Sequence, residues 1–171
     1  MIARLAMLFV LIAAGAAACG ATNPVEGART NFKPPDGWFS VETREPGEKH
    51  VPVAWASNVP FADDPADRAF PDRTVSGLSA DGIVVEAVGP WLYTGKEDVP
   101  TVDFPLRVSD LYCVANEYEG QPAPNVSFCN IAARLRSGEI FNAYVYFGRN
   151  EPTPEMTAQA NDVLATLSLA G

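Results

Sequence analysis

The sequence predicts an α+β domain: a largely antiparallel β-sheet with a C-terminal helix packed on one face. Three observations carry this reading. Short apolar runs separated by Pro and Gly fill the chain from Phe32 onward, a hairpin pattern spans residues 126–147, and one strong helix start follows at Thr153. Many strands with a helix segregated to one end fit an α+β arrangement better than regular α/β alternation.

In chain order, residues 38–43 alternate as a strand just after the turn-forming Pro35-Asp36-Gly37. Residues 51–57 form a second candidate strand, and 65–70 a single helical turn in an acidic stretch. Ile83-Val84-Val85-Glu86-Ala87-Val88, bounded by Gly82 and Gly89, reads as a buried strand. Residues 90–105, with Trp91, Tyr93, Gly95 and Pro100, read mostly as loop. Residues 126–135, the turn Ser137-Gly138 and residues 140–147 form an antiparallel hairpin. In its second strand Phe141, Ala143, Val145 and Phe147 share one fully apolar face, opposite the amphipathic set Ile140, Asn142, Tyr144 and Tyr146. Thr153-Pro154-Glu155 supplies an N-cap, a Pro at the first helical position and an acid in the first turn. Met156, Ala160, Val163, Leu164 and Leu167 then recur at three- and four-residue spacing, so one stripe of the helix faces the sheet.

Residues 1–18 differ from the rest. Arg4 is their only charge, residues 5–14 are unbroken apolar, and the small Gly15-Ala16-Ala17-Ala18 precede Cys19. This is the pattern of a secretory signal peptide; a permanent span needs ~20 apolar residues. Ala16-Ala17-Ala18-Cys19 resembles the lipobox of bacterial lipoproteins, departing from it at Ala16, where Leu is preferred. That resemblance implies lipidation of Cys19, a membrane anchor and a domain facing outside the cytoplasm; ordinary cleavage there gives a secreted protein instead. Residues 19–31 then read as the lipidated Cys and a flexible tether, and residues 32–171 as one domain.

The cysteine count agrees. The chain has three, Cys19, Cys113 and Cys129, and an odd number in an exported protein needs an explanation. Lipidation accounts for Cys19. Cys113 and Cys129 are left to pair in an oxidising compartment, and without a Cys-x-x-Cys they are read as structural, not as a redox or metal pair.

Charge excludes other roles. The 171 residues carry 12 Lys+Arg against 21 Asp+Glu, a net charge of −9. A nucleic-acid binder shows a basic footprint instead, and the same acidic balance argues against docking on anionic lipid through the folded surface. The single histidine, His50, sits in a polar turn and reads as exposed; no nucleophile elbow or phosphate loop occurs. No catalytic residue, metal or cofactor is assigned. Asp63, Asp64, Asp67 and Asp72 lie within ten residues of one another, but their spacing is not that of an EF-hand, and they read as a solvated acidic loop. Trp38, Trp55, Phe61, Trp91 and Tyr93 are the candidate ligand or partner surface, because aromatics in loop-rich stretches line grooves and interfaces. The alternative for them is capping a small core.

Phe32-Lys33-Pro34-Pro35-Asp36-Gly37-Trp38 resembles the Phe-x-x-Pro-x-Gly-Trp opening of PsbP-like domains. Residues 135–147 and 153–169, with the Leu-Ser-Leu finish, resemble their closing hairpin and helix. The resemblance covers about a third of the chain, at its two ends. It implies an α-β sandwich and a non-enzymatic role bound to other proteins. The expected function is therefore a non-catalytic cell-envelope lipoprotein that binds a protein or small ligand. A hydrolase using carboxylates and a structural accessory of an envelope complex are the alternatives.

Overall fold

The computed structural model describes residues 22–25, 27–44, 51–62, 72–93, 99–118 and 121–170. Cys19, His50, Asp63, Asp64, Asp67 and the helical turn expected at 65–70 lie outside the described residues. The architecture is the α+β arrangement expected, dominated by antiparallel strands and closed by a helix.

Two meanders build the main sheet. The first comprises β3 (Phe39–Arg44), β4 (Pro52–Ser57) and β5 (Ile83–Tyr93); the second comprises β6 (Tyr112–Tyr118), β7 (Gln121–Arg134) and β8 (Ile140–Phe147). They join edge to edge through β5 and β8, giving the order β3-β4-β5-β8-β7-β6, with every pairing antiparallel. The expected hairpin of β7 and β8 is present, with Ser127 opposite Phe147 and Arg134 opposite Ile140. Its turn is closed by Leu135 N–H to Glu139 O at 2.7 Å and Gly138 N–H to Leu135 O at 3.0 Å.

Helix α2 (Pro154–Leu164) covers one face. Thr153 caps it, its hydroxyl accepting from the Met156 N–H at 3.2 Å. Met156, Ala160, Val163 and Leu164 are buried with Val85, Ala87, Phe141, Ala143, Val145 and Phe147 in the principal core. The expected inward set of β8 is therefore the set that meets the helix. The other face is less open than its amphipathic pattern implies: Tyr146 is fully buried, beneath Val75 of the short helix α1 (Asp72–Ser76). Burial on both faces explains why β5 is apolar without alternation.

Four local expectations need correction. The helix stops at Leu164 and not at Leu169. After Ala165 the chain closes a tight turn through Leu167 N–H to Leu164 O, and Ser168–Ala170 form a strand, β9, paired with β2 (Arg29–Asn31). The segment read as a tether is partly folded: besides β2, β1 (Thr22–Pro24) pairs with the end of β5. Ala28 and Thr30 are buried, and the Thr30 hydroxyl donates to the Gly89 carbonyl. Residues 90–93, read as loop, extend β5 past Pro90. That proline is tolerated because the β5–β8 register slips between Val88 and Trp91, where no ladder bond is lost. Finally, β7 begins at Gln121, before the expected hairpin strand.

Gly148 shows how closely the loops pack. Its N–H donates to Gly82 O at 2.9 Å, and a methyl group there would run into the Ser79 carbonyl and lie 3.2 Å from Leu78 Cβ. Backbone would have to move to make room. Gly148→Ala is expected to cost about 1–3 kcal/mol, the usual range for overpacking, read as a lower thermal midpoint. An unchanged midpoint would show that the 78–82 turn yields freely.

Candidate functional site

Cys113 and Cys129 are directly opposed on β6 and β7 and joined by a disulfide, as expected. Such bonds persist in oxidising compartments outside the cytoplasm.

The five candidate aromatics do not form one surface. Trp55 is fully buried on β4 and packs with Val51, Val53 and Val88; Phe61 and Trp91 lean on the same cluster, the Phe61 ring centroid 5.8 Å from that of Trp55. Trp38 is half-buried against the opposite, helix-covered core. Tyr93 ends β5, and its side chain is outside the described set. For Trp55 the core-capping reading is therefore the right one: β4 is buried on both faces, so its tryptophan has no outward side.

Sequence reasoning also passed over Glu86. It lies on β5 in register with Trp55 on one side and Tyr144 on the other, fully buried. A buried carboxyl needs hydrogen-bond donors. The Trp55 indole N–H donates to Oε1 at 3.3 Å and the Tyr146 hydroxyl to Oε2 at 3.1 Å. The signal was present as one acid inside an apolar strand run. Sealed from solvent, this carboxyl ties three strands together and has no opening through which to meet a substrate.

An open groove of about 580 Å³ lies beside the β7–β8 turn. Three segments line it: Val102, Asp103 and Phe104; Leu135, Arg136 and Ser137 from the β7–β8 turn; and Leu167, Ser168 and Leu169 leading through β9. The first segment is held beside β7 by Arg134 N–H to Pro100 O at 2.8 Å and Val102 N–H to Arg134 O at 3.3 Å. Phe104 is 41% exposed, yet its ring stacks on the buried Phe141 with centroids 5.6 Å apart, so an exposed aromatic is fixed on the core. At the rim Arg136 grips Asp103 with two parallel bonds, Nε to Oδ1 at 2.8 Å and Nη2 to Oδ2 at 2.9 Å. Both side chains are highly exposed, so the pair contributes at most about 1 kcal/mol to stability. Its effect is to set the groove's polar edge.

Walls of Val, Leu and Phe with one fixed ion pair suit an apolar ligand carrying a polar end. Among the described residues no group of three or more His, Cys, Asp or Glu is placed to hold a metal. No family model, curated protein or solved structure matches this chain.

Proposed function

We propose that the protein is a non-catalytic binding lipoprotein of the cell envelope, anchored through Cys19, that holds an apolar segment of a protein or a small apolar ligand in the groove beside Phe104. The observation that carries the binding role is the preformed groove itself, with an exposed aromatic already locked against Phe141. Prefixing a wall in this way lowers the ordering cost of association. The anchor is supported by the leader's composition and by cysteine bookkeeping: with Cys113 and Cys129 joined to each other, Cys19 is the cysteine left for lipid. The PsbP-like resemblance of the chain's two ends supports the same non-enzymatic role.

Photo-cross-linking in native membranes tests the groove. A photoreactive residue at Phe104 and, separately, one at Leu169 on the facing wall should trap the same molecule. The same residue at Tyr112, which is 71% exposed on β6 away from the groove lining, should not. No adduct, or equal adducts from all three positions, would remove the groove as the binding site.

A further inference from the structure

β1 alters what a lipid on Cys19 would do. Thr22, Asn23 and Pro24 pair with Tyr93, Leu92 and Trp91 at the end of β5. Cys19 therefore stands three positions before a residue already built into the sheet. Fully extended chain spans at most ~3.6 Å per residue, so the reach from Cys19 to Thr22 is about 10 Å. The domain cannot stand off on a twelve-residue leash. Resting on the lipid-anchored reading above, we infer that the β1 end of the sheet is held against the bilayer surface, with Leu92 at headgroup level.

Two further observations fit a lipid surface as the occupant of this end. Leu92 is 45% exposed, one of four large hydrophobic residues so exposed among the described ones. Contact with the interface would give it apolar surroundings that the fold itself withholds. The charge balance is also suitable. Arg29, Arg44, Arg134 and Arg136 lie at this end of the strands, against Glu42, Asp103 and Glu139. The described residues here lack the acidic excess of the whole chain, whose net charge is −9. Arg134, Ile140, Trp91 and Pro24 form one row across the sheet, which puts the groove at the same end. Its ligand would then be met at the membrane surface and not from the bulk.

Depth-dependent quenching tests this in the mature lipidated protein, reconstituted into phosphatidylcholine–phosphatidylglycerol vesicles that carry a headgroup nitroxide lipid. An environment-sensitive dye is attached at Leu92→Cys or at Ala80→Cys; the latter precedes the opposite end of β5, roughly 30 Å away along the strand. The dye at 92 should be quenched at least threefold more than at 80. Inserting twenty Gly/Ser residues between Gly20 and Ala21 should erase that difference while the protein still pellets with vesicles. Equal quenching at 92 and 80 in protein that pellets would overturn the orientation and leave the anchor standing. If Cys19→Ser protein remains in the membrane fraction of cells as fully as the parent, the anchor reading fails and the orientation falls with it.

Discussion

Trp55→Ala is expected to lower the unfolding free energy by about 3–5 kcal/mol, the range for emptying a fully buried tryptophan site. Trp55 fills the space among Val51, Val53, Val88 and Phe61. Its loss leaves a cavity and also withdraws the indole N–H from Glu86 Oε1. Trp55→Phe separates the two effects. It keeps most of the apolar contact and removes the indole donor to the buried carboxyl, so about 1–3 kcal/mol should be lost. Denaturant unfolding followed by far-ultraviolet circular dichroism reads both. If alanine and phenylalanine cost the same, hydrogen bonding and not packing dominates the site; if neither costs anything, the cluster around Trp55 contributes nothing to the stability of the fold.

Removing the disulfide with Cys113→Ala and Cys129→Ala together should destabilise the domain by about 3 kcal/mol, the chain-entropy value for a loop of this size, the separation being 16 residues. The effect should be local as well as global. Among the described residues β6 lies at an edge of the sheet, with β7 as its only partner strand. Tyr112, Cys113, Ala115 and Asn116 are exposed, so the strand buries little apolar surface of its own. Its ladder is interrupted between Ala115 and Glu117, where Asn116 takes a φ of 58°. Hydrogen exchange of the β6 amides should therefore accelerate well beyond that of the central β5, whose opening follows global unfolding. Unchanged β6 protection would mean the ladder alone holds the edge. Loosened, that edge also offers unpaired backbone to other chains, so the double variant should aggregate more readily.

What the sequence made legible was local. The β7–β8 hairpin and the start of α2 are written in contiguous residues, through alternation in 140–147 and through the cap at Thr153. The cysteine pair was legible by elimination. The three-residue strands β1, β2 and β9 were not, because three residues establish no period and their partners stand far off: Thr22 meets Tyr93, and Arg29 meets Ala170. Leu167 and Leu169 misled for a related reason. Leu167 continues the helical stripe, but the turn after Ala165 hands the chain to β9. For Trp55 both a surface and a core-capping role stood open, because composition cannot tell a strand covered on both faces from a surface one, and burial decides for the core. The groove was invisible because its three walls come from residues 102–104, 135–137 and 167–169, none carrying a motif. Only the lone Glu86 within an apolar run announced something unusual, and what it announced was a structural tie.

The pairing of Arg29–Asn31 with Ser168–Ala170 has a consequence in time. A chain synthesised from its N-terminus delivers β2 early and β9 after every other described strand. β2 must wait for nearly the whole domain before its partner strand exists, and closing so long a loop carries an entropic cost that only finished neighbours can offset. The sheet can assemble in the order of its two meanders, but the β2–β9 seam is sewn only once residues 168–170 have emerged. Arrival of β9, and not the appearance of the first strands, then sets the moment at which this seam closes.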